Sequence, residues 1–368
     1  MPPANRRPVA HRRQVFHCQK PPIRYPPAVP RDEKRFNAVQ MLVLCTAFWA
    51  LSFPTMKALT LTQQKLIPEA GSWFFTSLGV MYRFGAAGLI MLLLSWRTLP
   101  QLTKLEVQQG LGLAFFGVGG ILFQMDGLAH TAASTSAFLT QCYCLFIPLW
   151  VAWTRRRWPE WRVLVCCGLV ISGVAVLAGV DWRAFRLGRG ELETIIASVL
   201  FTGQILMLER PAYAGNKVNH FSVVMFCAMS LACVPLAVIT TPQPADWLRA
   251  YASVPALGFL AVLVFLSTLG GYMIMNHWQR HVAATEAGLI YSVEPVFAST
   301  LALVLPGYFS RWADITYLNE KITVSLLLGG GLITLANILI QTANPPPAAA
   351  HAKLGKKNVP TAGPAPAK

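Results

Sequence analysis

AGLIYSVEPVFASTLALVL (residues 287–305) and FLTQCYCLFIPLWVAW (residues 138–153) are apolar stretches that each carry a proline near the middle. Each is long enough to form most of a membrane-spanning helix. A proline inside such a helix removes one backbone donor, so Pro148 and Pro295 each leave the carbonyl four residues earlier without a helical partner. Lipid offers no donor for a bare carbonyl. We therefore expect both interruptions to face protein or a hydrated space at membrane depth, an arrangement typical of transporters.

The composition is that of a membrane protein. Of the 368 residues, 54% are hydrophobic and only 12% are charged, whereas soluble chains have about 25% charged residues. The net charge of +16 would suit a nucleic-acid-binding protein. However, Lys and Arg are concentrated in the terminal segments and short loops, as they are beside spanning helices. All the cysteines but Cys18 lie in apolar runs, without the spacing of a zinc site or a disulfide framework. We expect no nucleic-acid partner, no metal and no cofactor.

Ten apolar runs of membrane-spanning length follow one another along the chain. They form two sets of five, and the proline-containing run is the fourth of each set. An odd number of spans in each set inverts the second set relative to the first. The sequence therefore predicts an all-α polytopic membrane protein with ten transmembrane helices, arranged as two inverted five-helix repeats at residues 38–180 and 190–342. The ten runs are residues 38–59, 76–96, 107–128, 135–154, 161–179, 191–208, 221–240, 256–278, 285–305 and 322–342.

The terminal segments, residues 1–37 and 343–368, are basic and rich in proline and have no apolar core. We interpret both as disordered cytoplasmic tails that can contact anionic lipid. With both termini inside, most Lys and Arg of the connecting loops are cytoplasmic as well, except for a basic cluster at residues 183–189. The sequence thus predicts a multi-pass protein of the plasma (inner) membrane with both termini in the cytoplasm.

The fifth and tenth runs are both rich in glycine: CCGLVISGVAVLAG at residues 166–179 and LLLGGGLITLANIL at residues 326–339. Small residues allow helix backbones to approach closely in lipid. Both helices are therefore suited to close packing against other helices.

Glu294 is the strongest candidate for a functional group. A carboxylate in the middle of a spanning helix is costly unless it has a partner or water. It is suited to binding a cationic or amino group, or to taking up and releasing a coupling proton. The structural alternative, in which a fixed internal bond satisfies the carboxylate, stays open.

Neutral polar side chains recur at helical spacing on several other runs, which places them on common helix faces. If these faces converge, they line a cavity around Glu294; the alternative is ordinary hydrogen bonding between helices. We interpret Arg83 as structural, Asp126 as hydrated at the outer end of its span, and Lys57 as a snorkelling charge near a helix end. The expected cavity lining consists of Trp49, Gln124, Gln141, Tyr143, Gln204, Tyr272, Asn276, Tyr291 and Glu294.

Several short stretches match a known pattern: FWALSF at residues 48–53, YRF at 82–84, TSAFLTQ through IPL at 135–149, RRRWPEW at 155–161, and STLGGYMIMNHWQRHVAATEAGLIYSVEPVFAS at 267–299. Through them the chain from residue 38 to residue 342 resembles the EamA-like permeases of the drug/metabolite transporter superfamily. The resemblance implies ten helices, two inverted five-helix repeats and transport of a small organic solute. One departure is that the Gly-Glu turn usual after the ninth span is replaced by Asn319-Glu320, which follows an inserted outer segment at residues 307–321.

The sequence favours a membrane permease that moves a small organic metabolite, amino-acid-like or drug-like, by alternating access. A single central carboxylate allows proton-coupled efflux as one mode of this transport. A polytopic membrane enzyme would need a nucleophile with a base, a zinc motif or paired acids within the spans. The chain has no HExxH, no Gly-x-Ser-x-Gly and one clearly central acid, so we expect no enzymatic activity. A membrane sensor or scaffold is the other alternative, and no soluble signalling domain is evident. The expected partners are the solute, the lipid bilayer and a coupling proton. The identity of the solute, the direction of transport, the coupling ion and the formation of homo-oligomers stay open.

Overall fold

The computed structural model describes residues 33–154, 156, 158, 161–177, 188–282 and 284–343, and the regular structure in these ranges is helical. Most of the two predicted tails, and most of the basic cluster at residues 183–189, lie outside the described residues. The first helix begins at Glu33, so residues 33–37 are helical rather than part of a tail.

In chain order the α-helices of the described ranges are α1 Glu33–Leu66, α2 Ser72–Ser95, α3 Lys104–His130, α4 Ala133–Thr140, α5 Tyr143–Thr154, α6 Trp161–Leu177, α7 Arg189–Leu208, α8 Val218–Thr240, α9 Asp246–Arg249, α10 Val254–Val262, α11 Met273–Trp278, α12 Ala284–Tyr291, α13 Glu294–Ala302, α14 Leu305–Ala313 and α15 Val324–Ala343. A π-helical segment, Leu263–Tyr272, joins α10 to α11. These three pieces together form the eighth predicted span.

Seven helical stretches of the described chain are long and apolar enough to cross a membrane. The protein is therefore a multi-pass helical membrane protein. Two further apolar helices, Trp161–Leu177 and Val324–Leu339, are shorter, and the α12–α13 stretch is not among the seven. The count of ten spans therefore stays a prediction. The seven stretches are Arg35–Leu66, Ser72–Ser95, Lys104–His130, Ala133–Thr154, Arg189–Leu208, Val218–Thr240 and Val254–His281.

Two of the predicted spans are interrupted at corresponding places. In the fourth span, α4 ends at Thr140 and α5 begins at Tyr143. In the ninth span, α12 ends at Tyr291 and α13 begins at Glu294. Each interruption therefore consists of two residues that follow a short first helix.

The two prolines relate differently to these interruptions. Pro295 follows its interruption directly, in the first turn of α13, where a proline has no helical hydrogen bond to lose. Pro148 lies inside α5, so our prediction of a break at Pro148 is wrong. The chain instead turns at Gln141 and Cys142, whose N–H groups donate to the carbonyls three residues back, both at 3.1 Å. This tighter local bonding, rather than a missing donor, interrupts the fourth span.

Helix packing follows one pattern in both halves of the chain. α2 packs along α8, and α6 packs along α15. α3 packs against α7 and α8, and the segment Leu263–Tyr272 packs against α1 and α2. α4 and α5 contact α7, as α12 and α13 contact α1. These contacts therefore correspond in pairs. The contacts of α3 with α7 and α8 correspond to those of the segment Leu263–Tyr272 with α1 and α2, and the contacts of α4 and α5 with α7 correspond to those of α12 and α13 with α1. The α2–α8 and α6–α15 contacts each join equivalent helices of the two halves.

The glycine-rich helices α6 and α15 touch each other through their backbones. A Cβ atom added to Gly173 would lie 2.7 Å from the carbonyl oxygen of Gly329. Reciprocally, a Cβ atom on Gly329 would lie 2.8 Å from the carbonyl oxygen of Gly173. No other residue type fits this crossing without moving a backbone.

Candidate solute-binding site

A cavity of about 60 Å³ is lined by residues from both halves of the chain. Its volume lies below the range of about 300–1,000 Å³ that is usual for small-molecule sites, so its walls must separate before an organic solute fits. The helices that contribute to it include both interrupted spans, α4–α5 and α12–α13. The lining residues are Trp49, Ser52, Arg83, Ile121, Gln124, Thr140, Tyr143, Phe201, Gln204, Ile205, Tyr272, Met275, Tyr291 and Glu294.

Most of the residues that the sequence proposed for a cavity lie in this lining, and two do not. Gln141 is buried behind the wall and contacts Glu294. Asn276 is also buried, but its Nδ2 donates to Ser222 Oγ of α8 at 3.0 Å. The placement of these two amides in the lining is therefore corrected. The predicted residues that line the cavity are Trp49, Gln124, Tyr143, Gln204, Tyr272, Tyr291 and Glu294.

The carboxylate of Glu294 is held at the start of α13. Only 5% of this residue is exposed, and it lines the cavity. Gln141, in the interruption of the fourth span, donates its Nε2 to Glu294 Oε2 at 3.1 Å. The two interrupted spans therefore meet at this carboxylate. A buried carboxylate that has a neutral amide as its donor keeps its charge uncompensated, which makes it receptive to a cation or a proton.

Aromatic rings form one wall of the cavity. The ring of Trp49 lies 5.7 Å from that of Tyr272 and 5.5 Å from that of Tyr291, measured between centroids. Tyr272 in turn contacts Phe84 edge-on at 5.6 Å. The Tyr291 hydroxyl donates to Gln279 Oε1 at 2.9 Å, which fixes that ring. Such a wall offers flat apolar surface to the body of a small solute.

Two N–H donors of the lining residues are buried without a hydrogen-bond partner among the described residues. They are Trp49 Nε1 and Gln204 Nε2. Trp49 Nε1 lies against Gly271 and Gln204 Nε2 lies against Gly117. A buried donor without a partner costs about 1–3 kcal/mol. Gln124 differs, because its Nε2 donates to Thr140 Oγ1 at 3.1 Å.

Arg83 is a lining residue that we interpreted as structural. It lies in α2, is 2% exposed, and donates its Nε to Thr268 Oγ1 at 2.5 Å. The guanidinium also lies 5.3 Å from the Phe84 ring centroid. The signal was present in the sequence, since a charged residue inside a predicted span marks a functional site by default.

At one end of the helix bundle, buried charges join neighbouring helices. Asp126 is fully buried and pairs with Arg189 at the start of α7, so our expectation of a hydrated Asp126 is wrong. Lys57 lies well inside α1 and donates to the carbonyl of Thr131, instead of snorkelling at a helix end. Both contacts hold the turn between α3 and α4 against neighbouring helices.

Glu320, after the inserted outer segment, caps the N-terminus of α4. Its Oε1 accepts from the N–H of Ala133 at 2.8 Å, and its Oε2 accepts from the hydroxyl of Ser134. Backbone donors at a helix start favour an anion. Glu320 therefore links the segment before α15 to the first helix of the fourth span.

Replacing Glu320 by alanine is expected to loosen α4. We expect a loss of about 1–2 kcal/mol of stability, because the cap disappears, and faster hydrogen exchange at the amides of residues 133–136. Hydrogen exchange read by mass spectrometry on detergent-solubilised protein measures this. Asp314→Asn is the matched control, because Asp314 is an exposed acid on the same outer segment that pairs with Lys65 at 2.5 Å. Equal exchange rates in the Glu320 variant and in this control would contradict the capping role.

Another buried acid, Glu106, joins helices at the opposite end of the bundle. Glu106 closes a capping box with Thr103 at the start of α3. Its Oε2 also lies 3.0 Å from Nδ1 of the buried His220 in α8, and its Oε1 accepts from the N–H of Lys217 at 2.9 Å. Polar contacts between helices therefore exist at both ends, with the cavity between them.

Comparison with known proteins agrees with this geometry. Residues 37–179 match the model of the EamA-like transporter family. These residues belong to the EamA-like transporter family. The resemblance read from the sequence is confirmed, and the cavity is built in part by the EamA segment, which supplies α1 to α6.

Two individual proteins are similar to the chain. Over 308 residues the chain is 23% identical to a protein of Archaeoglobus fulgidus described as an uncharacterized transporter. The aligned region covers 83% of this chain and 86% of that protein. A solved structure described only as "Crystal structure of protein" aligns with 84% of this chain and 96% of its own, with a TM-score of 0.49 and 15% identity.

Proposed function

We propose that the protein is a permease that moves a small organic solute across the membrane by alternating access. The solute binds in this cavity, which widens to admit it, and one half of the chain rocks against the other around it. The observation that carries this proposal is a buried carboxylate, Glu294, on the wall of a cavity that both halves enclose. The similarity to a protein described as a transporter supports the same function.

The arrangement of lining residues supports two inverted five-helix repeats. Thr140 and Tyr291 each end the first helix of an interrupted span, and Tyr143 and Glu294 each begin the second. All four line the cavity. Equivalent positions of the two halves thus face one space, as expected when a duplicated unit encloses its binding site. The sequence separation between Thr140 and Tyr291 equals that between Tyr143 and Glu294. Two further pairs of lining residues have the same separation, Ile121 with Tyr272 and Gln124 with Met275.

We place the protein in the plasma (inner) membrane with both termini in the cytoplasm. The excess of Lys and Arg in the segments that this topology puts inside supports this orientation. In this topology Glu320 and the Asp126–Arg189 pair are outer contacts, whereas Glu106 and His220 form an inner contact. Alternating access would release one set of contacts while the other holds.

The proposal is tested by binding and flux. Purified protein is screened against a panel of metabolites by thermal stabilisation, and each stabilising compound is then assayed for flux into vesicles that contain the protein. We expect at least one compound both to stabilise the protein and to cross. If every compound that binds fails to cross in either direction, with or without a pH gradient, the transport proposal is wrong.

Truncating a buried amide on the cavity wall is expected to weaken solute binding. Gln204→Ala removes a lining donor, so we expect about a 5- to 10-fold loss of affinity, the effect of about one hydrogen bond. Asn276→Ala is the matched control, because that amide is equally buried but bonds Ser222. Titration of the identified solute measures both variants. An equal loss in both, or a loss in the control alone, would mean that the lining assigned here is wrong.

A further inference from the structure

A second cavity lies on the opposite face of α7 from the solute-binding site. It is a groove of about 400 Å³ whose walls are supplied by α3, α5 and α7. On α7, Phe201 and Gln204 face the solute-binding site, whereas Gly203 and Leu206 face the groove. The volume lies within the range of about 300–1,000 Å³ that is usual for ligand sites. The groove is therefore a separate site of ligand size.

The groove is apolar and opens to the outside of the helix bundle. Trp150 of α5 and Val199 of α7 line it, and each of them is 49% exposed. Thr202 also lines it, but its hydroxyl donates to the carbonyl of Ser198 in its own helix at 2.9 Å. Because the surroundings of a spanning helix are acyl chains, the body of a ligand in this groove is expected to be apolar.

The length of the groove corresponds to one leaflet of a bilayer. Its wall along the second half runs from Val199 to Arg210. Eleven residue steps of a helix cover about 17 Å, which is about half of the ~30 Å hydrocarbon core. In the topology proposed above, the end at Arg210 and Trp153 is the cytoplasmic end. The groove therefore extends from the level of the inner headgroups towards the middle of the membrane.

The inner end of the groove carries a cation and an aromatic pair. Arg210 lines this end, and its side chain forms no ion pair with Glu209 or with any other acid of the described ranges. Trp150 and Trp153 line it too, with ring centroids 5.0 Å apart. Tryptophan is enriched at the level of lipid headgroups, and a guanidinium matches two oxygens of a phosphate. An anionic headgroup therefore fits this end.

The charge around this end separates the possible occupants. The carbonyl of Trp153 accepts from the N–H of Arg156 at 3.1 Å, which places an exposed arginine directly after the aromatic pair. The terminal segments of the chain are themselves basic, so this end repels them. An apolar chain with an anionic head is complementary to the groove along its whole length.

We infer that this groove binds an anionic phospholipid of the inner leaflet, with its phosphate at Arg210 and an acyl chain between α5 and α7. Only the choice of leaflet rests on the proposed topology. α3 and α5 belong to the first half of the chain and α7 to the second, so the lipid lies at a seam between the halves. Basic pockets between spanning helices on the cytoplasmic side are typical sites for anionic lipids.

The inference is tested by lipid binding to the purified full-length chain in detergent, read by native mass spectrometry. Phosphatidylglycerol and phosphatidylcholine with identical acyl chains are the probes. We expect phosphatidylglycerol to bind about fivefold more tightly, the effect of about one basic side chain at a headgroup. Glycerol 3-phosphate, which has a phosphate but no acyl chain, should not displace it at the same concentration.

Arg210→Gln should lower the affinity for phosphatidylglycerol about fivefold, to the level of phosphatidylcholine. Arg97→Gln is the matched control. Arg97 is also an exposed arginine at the inner end in the proposed topology, and its guanidinium lies 5.5 Å from the ring centroid of the exposed Trp96. It does not line the groove. The control should keep the preference for phosphatidylglycerol.

Leu206→Trp should fill the groove and weaken both lipids about tenfold, because the acyl chain loses its apolar contacts. Leu231→Trp is the matched control, because Leu231 is a 69% exposed leucine of α8 outside the groove. Thermal unfolding in lipid-free detergent checks that the variants fold. Leu149→Trp, on the α5 wall, replaces Leu206→Trp if that variant fails to fold.

Several results would overturn the inference. One is a wild-type protein without a preference for phosphatidylglycerol, or an equal loss in Arg210→Gln and Arg97→Gln. Unchanged lipid binding in Leu206→Trp would place the acyl chain elsewhere, and displacement by glycerol 3-phosphate would make the ligand a free phosphate. A dimer that Leu206→Trp separates would assign the groove to a second copy of the chain. The proposed transport function is read by solute flux, so it stands whichever of these results is obtained.

Discussion

Replacing Glu294 by glutamine is expected to remove the response of solute transport to a pH gradient. A gradient of one pH unit is worth about 1.4 kcal/mol, which one-for-one exchange converts into about a tenfold solute gradient. A single carboxylate couples the two flows because it cannot hold a proton and a solute ammonium at once. Glutamine keeps the shape of the side chain and its contact with Gln141, but it has no charge to exchange.

The pH dependence of binding has a defined sign. In wild-type protein, affinity for an amine-bearing solute should fall as the pH falls, since protonation removes the negative charge of Glu294. In Glu294→Gln the affinity should be independent of pH and close to that of wild-type protein at low pH, where Glu294 is protonated. Accumulation in vesicles, with and without an imposed gradient, and solute titrations over a range of pH measure both effects.

Glu69→Gln serves as the control for the Glu294 variant. Glu69 is half-exposed on the outer face, where it lies 3.6 Å from Arg249, and it is not part of the cavity wall. Its replacement should leave the pH response unchanged. A Glu294→Gln protein that still accumulates solute tenfold per pH unit would end the coupling proposal, although facilitated exchange through the same cavity would remain.

Replacing Gly173 by alanine is expected to destabilise the protein by about 1–3 kcal/mol, the usual cost of overpacking. The new methyl group would lie 2.7 Å from the carbonyl oxygen of Gly329 and 2.7 Å from Cγ1 of Ile333. A flexible side-chain end could give way, but the Gly329 contact is with the backbone of α15. The two helices must therefore separate along their whole crossing.

The same two helices supply matched controls for this substitution. A Cβ atom on Gly168 in α6 or on Gly331 in α15 meets nothing within 4 Å. Gly168→Ala and Gly331→Ala should leave stability unchanged or raise it slightly, because alanine is the better helix former. Thermal unfolding in detergent compares the three variants. If Gly173→Ala unfolds at the same temperature as the controls, close backbone contact does not hold α6 to α15.

The helices were largely predictable, because apolar runs of about 20 residues leave few alternatives in lipid. The interruption of the fourth span was not. Pro148 is accommodated inside α5, whereas the chain turns at Gln141 and Cys142, which carry no local breaking signal. α14 was also missed: it lies in the inserted outer segment, where Phe309 and Trp312 pack on Phe259 at 5.0 Å and 4.9 Å.

The site was predictable where helical spacing decided it and not where a neighbouring helix did. Tyr272 and Asn276 are four residues apart, which suggested a common face, and the stretch after Tyr272 is α-helical. Tyr272 lines the cavity, but Asn276 donates to Ser222 of α8 instead. A contact between helices so far apart in the sequence could not be predicted from spacing. Arg83 was interpreted as structural, which stays a prediction, and the packing of α2 against the segment at Thr268 shows how deeply it is buried.

The unequal residues at the start of α5 and α13 have an electrical consequence. Where one half of the chain has Glu294, the other has Tyr143, a phenol that stays neutral at physiological pH. The cavity wall in the described residues thus provides one acid, and each cycle through it carries at most one proton on that acid. In the proposed one-for-one exchange, a solute without net charge that crosses in return for a proton would move one elementary charge across the bilayer. The membrane potential would then add about 2.3 kcal/mol per 100 mV to the driving force of that exchange.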